Sequence, residues 1–235
     1  MKHFVKYLTG MVVMAVVSCD SSDEPRIVTN DFFPLKTGWY QQYHVEETVY
    51  ELGVAQTSAY ELKTVVVDSF QNEAGRFTYV IHRSTRSEGE TGWTYLDTWS
   101  ASLTGKELVV QEGNIAFVKM KFPPAEGQQW NGNTYNNLVN AATGKPEDLY
   151  TVTETGEELV IDDQVLGDYV TIEQEDNQEF IVFFDKRLET YARGIGLVYR
   201  EITQLHYCTQ TGCLGQQIVQ DGVIYKQTIM SYGLE

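Results

Sequence analysis

The segment RFTYVIH, residues 76–82, decides the fold class of this protein. Its aromatic and β-branched residues alternate with others in the period of two that is typical of a half-buried strand. The turn-forming stretch Asn72 to Gly75 stands before it, and the run Ala59–Asp68 on the other side of that turn has the same strand character. Two such runs joined by a turn predict antiparallel β-structure.

The same pattern repeats along most of the chain, where short runs of strand-forming residues are separated by Gly, Asn and Asp. They predict strands within residues 39–50, 59–68, 76–82, 92–99, 108–111, 115–121, 150–155, 159–162, 169–173, 180–185, 197–204, 217–220 and 223–230. Asp221-Gly222 predicts a two-residue hairpin turn between the last two runs, because glycine tolerates a positive φ. Helical windows are few, and the one short candidate, Tyr135–Ala142, carries three asparagines that disfavour a helix. The sequence predicts an all-β fold of antiparallel strands, forming either a curved half-barrel or a β-sandwich.

Two segments share the pattern F-P-x-x-x-G followed by tryptophan, in residues 33–39 and 122–130. Proline cannot donate a hydrogen bond to a strand ladder and glycine turns the chain, so each segment is expected to precede a new group of strands. Two facing sub-sheets would explain the echo, and so would reuse of a common turn.

Residues 1–18 have the features of a secretory signal peptide. Lys2 and Lys6 flank the start of an apolar run, Tyr7–Val17, which ends at the small residue Ser18. The run is shorter than the roughly 20 residues that a transmembrane helix needs. The tetrapeptide VVSC, residues 16–19, resembles the lipobox of bacterial lipoproteins. That resemblance implies cleavage before Cys19 and lipidation of its sulfur and amino terminus; an ordinary secreted protein that begins with cysteine is the alternative.

The segment that follows Cys19 is short, polar and acidic, with the sequence DSSDEP over residues 20–25. This composition is typical of a flexible tether, here assigned to residues 19–30. It also resembles the acidic export signal of Bacteroidota surface lipoproteins, which implies an outer-membrane protein exposed at the cell surface. A plain linker on the periplasmic face is the alternative. Residues 31–235 are then expected to form a single all-β domain.

The chain is strongly acidic, with a formal charge of −16 that becomes −18 once Lys2 and Lys6 are removed with the signal peptide. Binding to nucleic acid or to anionic lipid headgroups needs clustered Lys and Arg, so the charge argues against both. The expected partners are the membrane, through the lipid anchor, and a glycan or another envelope protein.

Cys208 and Cys213 are the remaining cysteines and are separated by four residues. In an oxidising compartment such a pair can close a small loop as a disulfide. Metal binding would need two further ligands, and only His206 lies nearby. We predict a disulfide, no metal site and no cofactor.

Three segments together resemble a group of Bacteroidota lipoproteins of unassigned function. They are DFFPLKTGWY at residues 31–40, the stretch 122–137 that contains WNGNTYN, and YARGIGLVYRE at residues 191–201. The resemblance implies a β-sheet lipoprotein and no particular activity. Gly194 and Gly196 lack the third glycine and the helix of a nucleotide-binding loop, so they predict a bend or bulge before a strand.

Catalytic motifs are scarce in this sequence. It has no G-x-S-x-G elbow, and none of its histidines is paired at metal-ligand spacing. Acidic clusters occur at Glu157-Glu158, Asp162-Asp163 and residues 173–176, and two carboxylates across a cleft can hydrolyse glycosides. With 33 acidic residues, however, such clusters are expected from composition alone. No catalytic residue is assigned.

Aromatic residues are the remaining candidates for a ligand site. Trp93, Tyr95 and Trp99 share one face of a regular strand, and Trp130 lies near Tyr135 among asparagines. They could stack on a sugar or line an apolar mouth, or they could simply pack the core. The sequence favours a non-enzymatic binding or structural role at the envelope. The alternatives are a glycan-directed hydrolase and a calycin-like carrier of an apolar molecule.

Overall fold

The structure is a computed structural model that describes residues 31–73, 75–140 and 143–235. The predicted signal peptide 1–18, the tether 19–30 and Cys19 lie outside these residues. Within the described ranges the chain forms fourteen strands and no helix, so the all-β prediction is confirmed. Residues 135–140 of the candidate helix are turn and irregular chain. The described residues therefore include no helix long and apolar enough to cross a membrane.

The strands are, in chain order, β1 Trp39–Glu51, β2 Val54–Gln71, β3 Phe77–Ser87, β4 Thr94–Leu103, β5 Glu107–Glu112, β6 Ile115–Lys121, β7 Gln129–Asn131, β8 Leu149–Gly156, β9 Val160–Ile161, β10 Gln164–Val165, β11 Tyr169–Asn177, β12 Phe183–Ala192, β13 Gly196–Tyr207 and β14 Val219–Leu234. Twelve of them form one antiparallel sheet in the order β6-β5-β4-β3-β2-β1-β14-β13-β12-β11-β8-β7. Strands β9 and β10 form a separate small hairpin.

The large sheet curls until its two end strands, β6 and β7, meet. The amide of Val118 in β6 donates to the carbonyl of Gly132, just after β7, at 2.9 Å. The indole nitrogen of Trp130 in β7 donates to the carbonyl of Val118 at 2.7 Å. The result is a sheet nearly closed into a barrel, as the half-barrel prediction anticipated. We call the contact between β6 and β7 the seam.

The two F-P-x-x-x-G segments lead into this one sheet and do not begin separate sub-sheets. The glycine of each segment has a positive φ, and its amide donates to a strand carbonyl at 2.8 Å. Gly38 donates to Val66, and Gly127 donates to Val152. The two segments therefore resemble each other because both use the same kind of turn.

The core lies inside the curl and consists of two clusters of buried residues. The larger one is contributed by strands on both sides of the seam and includes Leu108, Val118, Met120, Tyr150, Val152, Val170 and Ile172. The second is built around β1, β2 and β13 and includes Tyr43, Val45, Leu62 and Val198. Burying such apolar side chains stabilises the fold by roughly 1.5–3 kcal/mol each.

Several strands carry one extra residue that interrupts the alternation of their faces. The extra residue is Leu96 in β4, Lys119 in β6 and Gln174 in β11. Such a β-bulge reverses the direction of the side chains on one side of it relative to the regular pattern. Lys119 and Gln174 are consequently buried, with 3% and 4% of their surface exposed.

The predicted turn at Asp221-Gly222 is wrong, because both residues lie inside β14. A Cβ at position 222 would stand 2.2 Å from the carbonyl oxygen of Gln204, so the glycine permits close approach of the neighbouring backbone. The chain reverses instead over residues 208–218, where Cys208 and Cys213 form a disulfide with their Cα atoms 5.8 Å apart.

The region around residues 180–200 also departs from the predicted pattern. Strand β12 begins at Phe183 and runs to Ala192, whereas the sequence pattern predicted a strand over residues 180–185. Gly194 has a positive φ in the turn before β13, and β13 has a bulge at Val198. The predicted bend or bulge at this place is thus confirmed.

Candidate functional site

The interior of the curled sheet holds a buried network of four charged side chains. The ammonium of Lys119 lies 2.7 Å from Glu112 Oε1 and 2.9 Å from Glu189 Oε1. The guanidinium of Arg200 lies 3.3 Å from Glu112 and 3.4 Å from Glu189. Each carboxylate therefore has two cationic neighbours, and the network has no net formal charge. We call these four residues the central network.

The central network joins opposite walls of the sheet. Glu189 in β12 and Arg200 in β13 are cross-strand partners. Glu112 ends β5, and Lys119 lies at the bulge of β6, four strands from β12 by way of the seam. Buried ion pairs of this kind are costly to break, because one charge is then left buried without a partner. The network consequently fixes the distance between the two walls.

The charges of the central network shift the protonation equilibria of its members. Burial alone would raise the pKa of Glu112, but the charges of Arg200 and Lys119 outweigh it and lower that pKa to about 2. Burial would likewise lower the pKa of Arg200, yet Glu112 and Glu189 raise it above its ordinary value. Both side chains are ionised at neutral pH, so Glu112 is unsuited to act as a general acid there.

Two cavities lie on either side of the central network, and Glu112, Lys119 and Arg200 line both. The first is small, about 50 Å³, with a largely apolar wall that includes Trp99 and Tyr191. Such a space holds a few water molecules. It is far smaller than the pockets that hold drug-sized ligands, so it offers little room for the apolar ligand of a calycin-like carrier.

The second cavity, about 240 Å³, has polar and apolar wall surface in nearly equal shares, and we call it the polar cavity because charged side chains line it. Arg187 on β12 donates two hydrogen bonds to Asp148, of 2.9 and 3.0 Å, and its Nε donates to Asp185 at 2.8 Å. Burial opposes the charge of Arg187, but these carboxylates raise its pKa above the ordinary value. Bidentate pairing of this kind fixes the guanidinium plane as one wall of the polar cavity.

Gln174 is the most informative residue of the polar cavity. It lies at the bulge of β11, is 4% exposed and lines the cavity, yet its Nε2 makes no hydrogen bond within the described part of the chain. A buried donor without a partner costs free energy, and such groups in native proteins call for an explanation. A molecule that occupies the polar cavity would supply the missing acceptor.

Residues 133–140, which follow β7, cover one side of the polar cavity. Leu138 and Val139 stand at its rim and are largely exposed. Below them Asn140 donates to Asp148 at 2.6 Å and to Glu175 at 2.7 Å. The cavity therefore has an apolar rim and a hydrogen-bonded floor, which is a common construction for small-molecule sites.

The aromatic residues predicted from β4 do not share one face. The bulge at Leu96 separates them, because Asp97 pairs with Arg83 while Tyr95 pairs with the adjacent residue of β3. Trp99 lies inside, where the Arg83 guanidinium stands 3.8 Å from its ring centre, and Tyr95 is 59% exposed. Trp93, just before β4, stacks against Arg86 at 4.4 Å. The predicted three-residue platform is therefore wrong.

Trp130 and Tyr135 are also kept apart. Trp130 is 6% exposed and packs edge-on against Tyr150, with the ring centres 6.2 Å apart. Tyr135 is exposed, and its hydroxyl donates to Glu107 at 2.6 Å. Trp130 thus serves the core and the seam.

Of the acidic clusters noted in the sequence, the stretch 173–176 borders the polar cavity, because Gln174 lines it and Glu175 accepts a hydrogen bond from Asn140, whereas the other two contribute no lining residue. Glu157 and Glu158 are exposed, and Asp162-Asp163 form the turn between β9 and β10. Among the described residues, no three His, Cys, Asp or Glu side chains converge as a metal site would require.

The residues of the polar cavity were missed from the sequence. Lys119 and Gln174 sit at bulges, and Asp148 stands in a loop. Arg187 falls in the half of β12 that the pattern did not predict as strand. One signal was present, since Asp185, Arg187 and Glu189 are charged residues at every second position and so fall on one face of a strand.

Comparison with known proteins finds structural similarity at low sequence identity. No protein-family model matches the chain, and no curated protein matches its sequence. Among solved structures it is similar to a proposed exported protein with a YmcC-like fold from Bacteroides fragilis, with 11% identity and a TM-score of 0.44. It is also similar to a proposed lipoprotein from Parabacteroides distasonis, with 9% identity and a TM-score of 0.42. Each match covers 86% of this chain and 98% of the other.

Proposed function

We propose that this protein is a lipid-anchored component of the cell envelope that binds a small polar molecule in its polar cavity and does not transform it. The observation that carries the proposal is Gln174, whose buried amide nitrogen lacks a hydrogen-bond partner while its side chain lines that cavity. Left without a partner such a donor costs stability, whereas a bound molecule with an acceptor group would use it for recognition.

The state of the carboxylates favours binding over hydrolysis. Glu112, Asp148 and Asp185 line the polar cavity, and each is paired with a Lys or Arg side chain. Glycoside hydrolysis needs one carboxyl group that stays protonated near neutral pH. At Glu112 the cations Arg200 and Lys119 act in the opposite direction, because they lower the pKa of that carboxyl group.

The lipobox at residues 16–19 and the acidic tether support the location. With Cys19 lipidated, residues 20–30 could extend at most about 36–40 Å, which would keep the domain within that distance of the bilayer. We propose attachment to the outer membrane with the domain at the cell surface; attachment on the periplasmic face is the alternative.

Fractionation of cells that produce the full chain tests the anchor. The wild type should sediment with membranes, and Cys19→Ala should be released or retained as an uncleaved precursor. The double variant Cys208→Ala with Cys213→Ala is the matched control and should stay with membranes. A soluble wild type would contradict the anchor. Protease added to intact cells then distinguishes the surface from the periplasmic face.

Native mass spectrometry of the mature protein with a library of small polar compounds tests the binding role. We expect at least one compound to bind at one molecule per chain and to be recovered with its own mass unchanged. Absence of binding across the library, or turnover of a compound, would contradict the proposed function.

A further inference from the structure

We infer that the ligand of the polar cavity is a neutral, hydroxyl-rich molecule of about the size of a monosaccharide. The inference rests on the proposed function and specifies the chemistry of its ligand. Three properties of the cavity support it: the balance of its charges, its hydrogen-bonding groups and its size.

The charges of the polar cavity cancel. Three acidic and three basic side chains line it: Glu112, Asp148, Asp185, Lys119, Arg187 and Arg200. Every one of them has an oppositely charged partner within 3.4 Å. An ionic ligand would meet no unpaired charge of the opposite sign there unless it displaced a charged side chain from its partner. Breaking a buried pair is strongly unfavourable, so a neutral ligand is preferred.

The hydrogen-bonding groups of the polar cavity are complementary to the hydroxyl groups of a ligand. Gln174 Nε2 is a free donor in the described structure, and Arg187 uses three of the five N–H bonds of a guanidinium. The carboxylates of Asp148 and Asp185 have lone pairs beyond those that Arg187 occupies. A hydroxyl both donates and accepts, so several hydroxyls on one molecule can satisfy this mixture without carrying charge.

The apolar part of the wall of the polar cavity and the volume of that cavity also fit a small sugar. The rings of Phe117 and Tyr150 line the polar cavity beside its polar groups and offer apolar surface to a ring of C–H groups. At about 240 Å³ the cavity lies below the roughly 300–1,000 Å³ of pockets for drug-sized ligands. Its occupant is therefore a single small ring or a short polyol.

Calorimetric titration of the mature protein with matched pairs of sugars tests the inference. Glucose and galactose are compared with glucuronate and galacturonate, which keep the ring and carry a carboxylate in place of the hydroxymethyl group. We expect a neutral sugar to bind and its acidic counterpart to bind at least tenfold more weakly. Gln174→Met keeps the side-chain length, removes the donor and should weaken binding of the neutral sugar roughly three- to tenfold.

Gln227→Met is the matched control, because Gln227 is equally buried but lines only the small apolar cavity. It should leave sugar binding unchanged. Equal or tighter binding of the acidic sugar would overturn the inference, and so would unchanged binding by Gln174→Met. If a compound of the polar library binds and no neutral sugar does, the inferred class of ligand is wrong and the proposed binding function stands. If no library compound and no sugar binds, the inference and the proposed function both fail.

Discussion

The substitution Gln174→Met should stabilise the ligand-free protein, although it alters a buried polar residue. Gln174 is 4% exposed and its Nε2 has no hydrogen-bond partner among the described residues. A buried donor left unsatisfied costs about 1–3 kcal/mol. Methionine has a similar shape and carries no donor, so it removes this cost without opening a cavity.

The size of the effect follows from the surroundings of the side chain. The polar cavity is large enough to hold water, which satisfies part of the donor's need in the ligand-free protein. We therefore expect the lower end of the range, a gain of about 1 kcal/mol in the free energy of unfolding. For a domain of about 200 residues this corresponds to a rise of about 2–4 °C in Tm.

The assay is thermal and urea unfolding of the mature protein, followed by circular dichroism. Gln227→Met provides the comparison, because Gln227 accepts a hydrogen bond of 2.7 Å from the Tyr225 hydroxyl. That variant leaves the hydroxyl without its partner and should lower stability by about 1–3 kcal/mol. If Gln174→Met is destabilised as much as Gln227→Met, then Gln174 is an ordinary structural residue and the reasoning fails.

Two further predictions concern the interior. Glu112→Gln should reduce stability at neutral pH by roughly 3 kcal/mol, because the pKa of Glu112 is lowered from 4.5 to about 2. This stabilisation is present above about pH 4.5 and is lost as pH falls toward 2, so urea unfolding should show the wild type and variant converging over that range; a constant difference would contradict it. Gly132→Ala should cost about 1–3 kcal/mol, because a Cβ there would lie 2.4 Å from the ring of Tyr150. Gly92→Ala, where a Cβ meets nothing within 4 Å, is its control, and equal stability of the two variants would refute the prediction.

The strand character of the chain could be predicted because the alternation of residues is local information. The segment RFTYVIH became β3, and the turn before it closes with the Gly75 amide donating to the Asn72 carbonyl at 2.8 Å. The turn at Gly113-Asn114 likewise connects β5 and β6 as the pattern indicated. Near-closure of the sheet, by contrast, depends on contacts between distant strands, and so the half-barrel and the sandwich could not be distinguished beforehand.

The candidate site could not be predicted, because it depends on places where the alternation fails. One extra residue at Leu96 puts Tyr95 and Trp99 on different faces, and this removed the predicted platform. Extra residues at Lys119 and Gln174 bring polar side chains inside, where a regular pattern would not place them. Since register depends on pairing with the neighbouring strand, no reading of one strand alone reveals such a bulge.

Asp221-Gly222 shows a different source of error. The dipeptide is typical of a hairpin turn, yet Gly222 faces the backbone of Gln204 at a distance that only glycine allows. A two-residue turn does occur elsewhere, between β1 and β2, at Leu52-Gly53. Its leucine adopts a positive φ of 51°. The Gly53 amide donates to the carbonyl of Gln220, so this turn is held by contact with β14.

The seam also affects how neighbouring copies of this protein can meet at high concentration. A sheet with free edges offers unpaired N–H and C=O groups to other chains, which promotes aggregation. Here the two edge strands turn toward each other, β7 has only three residues, and β6 is interrupted by its bulge at Lys119. Many copies could therefore lie side by side at high concentration without joining into a continuous intermolecular sheet.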